Sequence, residues 1–363
     1  MRGEGAEPLH GQALDEVELI VPNLNWRYSG VTATNRAMAP LMANHCRVAW
    51  LGPHRPASIP RLGIIELLRL RFRPPRRRAV RIWHARRNVE MIVGVLLRAL
   101  GFRLGLVFTS AAQRHHTWIT RFLIARMDAI IATTEAAASY LRRTCTVIHH
   151  GVDTELYCPA ADRQEALAAA GLPGKYGIGA FGRVRPQKGT DVFIAAMCRL
   201  LPHYPDFTAI VIGRVTLEHR VFFERLRSEV EKAGLRDRVH FLGELPIAEV
   251  PRWYQRVAIY AFASREEGFG LTLVEAMAAG TALVAARAGA AETVVSDGDT
   301  GVLVAPGDVD QLVRALEPLM REPQRAADMG RRARDRAVAQ FSLAREAERI
   351  AAVYRQIWEG EKN

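Results

Sequence analysis

Tyr176-Gly177-Ile178-Gly179-Ala180-Phe181-Gly182-Arg183-Val184-Arg185-Pro186-Gln187-Lys188-Gly189-Thr190 decides the fold. Residues 176–181 read as a buried strand, residues 182–189 as a loop bounded by glycines, and helical periodicity opens near Thr190. Strand, glycine-bounded loop and helix together are the unit of an open parallel sheet. The glycines permit close backbone approach, and Arg183 and Lys188 put two cationic donors beside a helix N-terminus, a combination suited to a diphosphate. A solvated basic turn fits the loop taken alone equally well. It is not a Walker loop, which needs Gly-Lys-Ser/Thr where this chain has Lys188-Gly189, and no GxGxxG follows any strand.

The same alternation runs outward in both directions through 363 residues. Strands are predicted at 17–22, 46–51, 80–83, 104–108, 129–132 and 146–148, then at 176–181, 207–212, 239–242, 258–262, 283–286 and 301–304. The length exceeds what one hydrophobic core usually serves. The expected class is therefore α/β, with two Rossmann-like parallel-sheet domains facing an interdomain cleft. The first spans residues 1–160 and the second 161–340, with a closing helix at 341–363 that crosses back to the first. The connection between them is placed at 157–174, which holds two Pro and two Gly. In such sheets ligands sit beyond the carboxyl ends of the strands, so function is sought in the post-strand loops.

Charge is divided unevenly. Residues 1–150 carry 22 Arg, no Lys and 9 acids, a net +13, while the remainder is −1. The first half should therefore meet something anionic: nucleic acid, an anionic membrane leaflet or an acidic acceptor. Nine arginines fall within residues 69–87, interleaved with Leu68, Leu70, Phe72 and Trp83. That run reads either as a solvated basic face or as an electrostatic dock. Cys46, Cys145, Cys158 and Cys198 lie far apart, without CxxC or zinc-ligand spacing, which excludes a metal knuckle and a disulfide framework and points to a reducing cytosol. Residues 1–16 hold five charged groups and no apolar core, unlike a signal peptide, and the apolar stretch 89–108 is broken by Glu90, Arg98 and Arg103. Any membrane contact is expected to be peripheral.

A second loop carries the other half of the chemistry: Ser264-Arg265-Glu266-Glu267-Gly268-Phe269-Gly270-Leu271-Thr272-Leu273-Val274-Glu275. The glycines around Phe269 leave a turn whose amides can point at one ligand, and a helix from Leu271 presents its positive end. Glu275, about one turn in, is placed to accept ribose hydroxyls. Taken alone, Glu267 reads better as a helix-capping carboxylate and Glu275 as a structural ion-pair partner; together they read as a site.

Gly-Arg-x4-Lys-Gly followed by Glu-Gly-Phe-Gly-Leu-Thr-x2-Glu resembles glycosyltransferase family 4, which is GT-B in fold and retaining in stereochemistry. The resemblance implies that Arg183 and Lys188 neutralise the donor diphosphate, that Glu267 lies against the donor sugar and that Glu275 binds the ribose. It implies donor contacts along Gly268, Phe269, Gly270, Leu271 and Thr272, and puts Gly30, within Ser29-Gly30-Val31-Thr32, opposite the donor phosphates. His150-Gly151-Val152-Asp153 matches the close of the family's first domain, and Asp297-Gly298-Asp299-Thr300-Gly301 a family turn rather than a metal site, so no metal is expected.

His84-Ala85-Arg86-Arg87-Asn88 and the segment from Phe108 to Arg114 look like bacterial mannosyltransferases of the lipopolysaccharide inner core, which use GDP-mannose. Family members often carry a His after the strand ending here at Phe108; this chain has Thr109-Ser110-Ala111, leaving His84, Arg114 or His115 for that place. The resemblance thus implies transfer of mannose from a nucleotide sugar to an anionic glycolipid of the Kdo-lipid A type. The acceptor is expected on the first domain, the protein being cytoplasmic and peripheral on the inner face of the cytoplasmic membrane. With no carboxylate nucleophile evident in the first-domain loops, front-face attack is the expected route. A UDP-sugar donor with another anionic acceptor, a nucleotide-sugar epimerase and a basic nucleic-acid-binding protein are the rival readings. The last is disfavoured by 7% aromatic residues and no known module.

Overall fold

The computed structural model describes residues 14–360. The reading of residues 1–16 as unlike a signal peptide falls largely on residues outside that range, as does the end of the 341–363 segment. Among the described residues two units emerge: residues 14–149 with 343–360, and residues 150–342. Each is built on a six-stranded, wholly parallel sheet.

The first sheet holds β1 (Leu19–Pro22), β2 (Val48–Leu51), β3 (Arg81–Ala85), β4 (Leu104–Ser110), β5 (Ala129–Ala132) and β6 (Thr146–Val147), in the order β2-β1-β3-β4-β5-β6. On one of its faces lie α2 (Ile64–Arg69), α3 (Asn88–Ala99) and α4 (Trp118–Ile124), whose Leu67, Met91 and Leu123 share a core with Trp83 and Leu106. On the other, α1 (Gly30–Met42) and the closing helix Leu343–Gly360 enclose Met38, Ile350 and Tyr354 with Leu19, Trp50 and Ile82. The closing helix therefore belongs to the first unit. Hydroxyl caps start α1 and α4: Ser29 accepts from the Thr32 N–H at 3.5 Å and Thr117 from that of Thr120 at 3.3 Å. At the head of α3 the buried Glu90 carboxylate accepts the Arg86 and Arg87 N–H groups at 2.8 and 3.0 Å.

The arginine-rich run is not one surface. Leu70 and Trp83 are core, and Arg81 is buried, its guanidinium donating to the Leu14 and Leu70 carbonyls. Burial holds the Arg81 pKa down to about 10.

The second sheet holds β7 (Tyr176–Phe181), β8 (Phe207–Ile212), β9 (Val239–Gly243), β10 (Val257–Phe262), β11 (Ala282–Ala286) and β12 (Gly301–Val304), ordered β12-β11-β10-β7-β8-β9. The stretch 157–174, expected as the connection, is packed within this unit. Its Arg163 donates to the carbonyls of Tyr254, Val257, Ala279 and Gly280, tying it to the sheet.

Candidate functional site

Chain order reverses between β7 and β10. From β7 the chain proceeds to β8 on one side, and from β10 to β11 on the other, so the loops leaving these neighbours diverge and open a crevice at their carboxyl ends. The two loops singled out in the sequence are those that follow β7 and β10. Gly189, at φ +66°, lets them meet: a Cβ there would stand 1.8 Å from the Ala263 carbonyl oxygen.

Lys188 Nζ and a Glu267 carboxylate oxygen form an ion pair across the loops, both side chains one-fifth exposed. The other Glu267 oxygen accepts the Gly268 N–H at 3.2 Å. Arg183 is exposed, and its guanidinium has no ion-pair partner among the described residues. The pair thus holds one cation and one carboxylate in fixed register, while a second cation stands free at the same loop.

Arg265 holds this register. Its guanidinium donates to both Asp191 oxygens at 2.8 and 2.9 Å and to the Pro186 carbonyl at 2.7 Å, while its N–H donates to the Gln187 carbonyl at 2.8 Å. The hydrogen bond to Asp191 raises the Arg265 pKa above its ordinary value. Bidentate pairing fixes both distance and plane. Arg265→Met is expected to destabilise the fold by about 1 kcal/mol, discounted for the pair's partial exposure, read as a lower urea midpoint. An unchanged midpoint would show that the clamp does not hold.

Beyond Glu267 the chain turns at Gly270 (φ +96°) into the helix Leu271–Ala278. Gly270 has no side chain to cap it, so no N-cap side chain closes the start of the helix. Glu275, one turn in, stands on an aromatic floor. Tyr254 OH donates to Glu275 Oε2 at 2.7 Å, and the Tyr157 ring packs edge-on against Tyr254, centroids 5.6 Å apart. Tyr254 is buried against Phe181 and Tyr260, ring centroids 4.8 and 5.6 Å away. Burial raises the Glu275 pKa above the ordinary carboxylate value, and the neighbouring Tyr254 and Tyr157 hydroxyls oppose the shift. The carboxylate is thereby oriented and keeps acceptor capacity for a diol.

Under the β7 loop, a cavity of about 340 Å³ is lined by Val184, Gly213, Phe223, Phe241, Gly243 and Glu244. Phe223 and Phe241 meet edge to face at 5.2 Å to form one wall.

In the first unit the order reverses between β1 and β3. Gly30 opens α1 there, facing open space, since a Cβ on it would meet nothing within 4 Å. Beneath it Arg87 donates to Ser29 Oγ and Thr32 Oγ1 at 2.9 Å each, to Asn23 at 2.9 Å and to Glu90 at 2.8 Å, fixing the loop.

His84 departs from its expected place. It is buried in β3, with Nδ1 2.6 Å from Tyr354 OH and Nε2 2.7 Å from Thr109 Oγ1, so both ring nitrogens are taken within this unit. Desolvation first, and Arg86 second, hold its pKa well below the ordinary value. It ties the sheet to the closing helix as a neutral imidazole and has no nitrogen left for a ligand. Arg114 and His115 are exposed on the loop after β4, His115 against the Tyr140 ring at 5.1 Å.

Asp297 accepts the Leu303 N–H at 2.8 Å and pairs with Arg287, while Asp299 pairs with Arg332 at 2.6 Å, so both serve the turn. His150 stacks edge to face on Phe269 at 5.1 Å, within the second unit.

Sequence reading missed Arg265, Asp191, Tyr157 and Tyr254. Arg265 lies inside the quoted motif, but its partner is 74 positions away. The tyrosines carry no local signal at all.

Residues 162–336 match the family described as glycosyl transferases group 1. The chain is 48% identical over 344 residues to the lipopolysaccharide core biosynthesis mannosyltransferase LpcC of Rhizobium leguminosarum bv. viciae, covering 94% of this chain and 97% of that protein. It is 44% identical over 347 residues to the mannosyltransferase LpsB of Rhizobium meliloti, covering 94% and 98%. Among solved structures, the C-terminal domain of LpcC from Francisella tularensis is 38% identical, with a TM-score of 0.52 over 53% of this chain and 99% of that one. Anabaena HepE in complex with UDP gives a TM-score of 0.80 at 22% identity over 94% of this chain and 100% of that one, a likeness of fold, GT-B.

Proposed function

We propose, on the premise that this chain belongs to the group 1 glycosyl transferases, that it transfers mannose from GDP-mannose, with retention, onto a Kdo-lipid A type acceptor of the lipopolysaccharide core. The observation that carries the reading is the convergence of Arg183, the Lys188–Glu267 pair and the uncapped start of the helix Leu271–Ala278 at one switch point. Two cations and a helix N-terminus answer a diphosphate, and Glu275 on its tyrosines answers a ribose.

In this reading the diphosphate enters beside Lys188, whose ammonium then bridges Glu267 and a phosphate oxygen. Arg183, free in the absence of donor, takes a second oxygen. The chemical step breaks the bond between the anomeric carbon and the diphosphate oxygen, and negative charge grows on the leaving group. Arg183, Lys188 and the N–H groups near Leu271 and Thr272 stabilise it, each charge-assisted bond contributing about 1.5 to 3 kcal/mol. The acceptor hydroxyl attacks from the face the diphosphate leaves, its proton passing to the departing oxygen, which gives retention without a covalent intermediate. Protein cations supply the countercharge, and the proposed route uses no metal.

The cavity lined by Phe241 and Glu244 supports a seat for the base, since the Glu244 carboxylate is an acceptor for the N–H edge of guanine. The acceptor is assigned to the first unit, where the positive charge lies, with the protein peripheral on the inner face of the cytoplasmic membrane. Among the described residues no helix is long and apolar enough to cross a membrane. The test is release of nucleoside diphosphate from GDP-mannose and from UDP-glucose, in EDTA, with and without lipid acceptor. The proposal expects acceptor-dependent release of GDP. Equal release from UDP-glucose would overturn the donor assignment, and release that requires an added divalent cation would overturn the metal-free route.

A further inference from the structure

α3 is apolar on both sides. Met91, Gly94 and Leu97 face the sheet and are buried, yet Val89, Ile92, Leu96 and Leu100, spaced as one helical stripe, are exposed. α4 repeats this: Leu123 and Ile124 are core, while Ile119, Phe122 and Trp118, the last 71% exposed, face outward. The helices run side by side in the same sense. At their heads Asn88 Nδ2 donates to Thr120 Oγ1 at 2.9 Å, and at their tails Arg98 bonds the Asp128 carboxylate at 2.8 Å and the Arg126 carbonyl.

α2 covers the same face of the sheet, its Leu67 in the same core, and leaves Ile64, Ile65 and Leu68 exposed, with Phe72 just beyond it 80% exposed. Eleven of the eighteen large apolar side chains exposed among the described residues thus lie on these three helices or within one turn of their ends. A monomer's surface rarely gathers so many on one face without a use for them.

The unpaired, exposed charges on this face are arginines. Arg69, Arg71 and Arg121 are exposed here and form no ion pair among the described residues. The helices hold two acids, Glu66 and Glu90, of which Glu90 is buried beneath Arg87. A second copy of the same face would bring arginine against arginine. An anionic leaflet answers both features, because its acyl boundary takes the apolar stripes and its phosphates take the guanidiniums.

We propose that the outer face of α2, α3 and α4 seats the first unit on an anionic bilayer, with Leu68, Ile92, Leu96, Trp118 and Phe122 at the acyl boundary and Arg69, Arg71 and Arg121 at the lipid phosphates. This deepens the reading of a lipid-borne acceptor and rests on that reading for its purpose.

The test is co-sedimentation of the full chain, without donor, with phosphatidylcholine vesicles that contain or lack phosphatidylglycerol. Binding is expected to need phosphatidylglycerol and to weaken, without vanishing, as salt rises. Leu96→Gln with Trp118→Gln should lower the partition on the order of tenfold or more. Brominated lipid should quench wild-type tryptophan fluorescence more than that of the Trp118→Gln chain. Arg69→Gln, Arg71→Gln and Arg121→Gln together should remove the preference for phosphatidylglycerol. All substituted side chains face outward, so melting curves should match wild type. The proposal is overturned if neither vesicle is bound, if the variants bind as wild type, or if the chain forms a lipid-free dimer that the Leu96 and Trp118 changes dissolve. Because no sugar donor is present, failure here leaves the transferase reading standing, and failure of that reading leaves vesicle binding intact.

Discussion

Lys188→Ala is expected to lower turnover on the order of a hundredfold or more, which is about 2.7 kcal/mol of lost transition-state stabilisation. The ammonium acts twice. On the proposed reading it neutralises charge as it grows on the leaving diphosphate, and in the structure it holds Glu267, whose other oxygen accepts the Gly268 N–H. Without Lys188 the carboxylate stands uncompensated beside an anionic donor, so repulsion adds to the lost attraction. Lys188→Ala with Glu267→Gln should therefore recover part of the donor affinity lost in the single variant. The non-additivity in donor KM tests the pairing, and turnover tests the cation. A single variant with near wild-type turnover would contradict the assignment.

Glu275→Gln is expected to raise the donor KM about ten- to a hundredfold with a smaller change in kcat, since the hydrogen bonds at stake are those of a charged acceptor in ground state and transition state alike. The amide keeps one acceptor oxygen and sets an NH₂ beside a group that already donates, the Tyr254 hydroxyl. The pH dependence has a defined sign. Burial raises the Glu275 pKa, so on acidification the carboxyl takes up a proton at higher pH than an ordinary carboxylate and ceases to be an acceptor for two hydroxyls. Donor KM should rise on the acid side in wild type, and that limb should be missing in Glu275→Gln. A variant that keeps both the affinity and the acid limb would remove Glu275 from the ribose site.

All twelve strands were legible in the sequence because parallel strands buried on both faces read as short continuous apolar runs, and β5, β7, β8 and β12 match to the residue. Ends shifted where an apolar residue sits just outside the ladder. Cys46 bonds back to Met42 in the turn after α1, so β2 starts at Val48. The sequence placed Arg183, Lys188 and Glu267 on the loops after β7 and β10, where the structure has them, because each follows its strand by seven residues or fewer. What the sequence hid depends on contacts across many positions. Arg265 becomes a clamp only when the β7 and β10 loops meet, and Tyr254 reaches Glu275 from a five-residue helix with no pattern of its own. His84 misled for the same reason. Its partners, Thr109 and Tyr354, lie 25 and 270 positions away, and only the closing helix shows that its ring is spent on holding the first unit together. The exposed stripe of α3 was hidden differently: a helix apolar all round looks the same in sequence whether it is enclosed or left open on one side.

The most direct test of the central claim is incubation with GDP-mannose and a Kdo-lipid A acceptor, followed by mass spectrometry of the lipid and NMR of the new anomeric centre. The account predicts the gain of a single hexose with the anomeric configuration of the donor, abolished or strongly slowed in Lys188→Ala. Hydrolysis of GDP-mannose without a mannosylated lipid, or a product of inverted configuration, would contradict it.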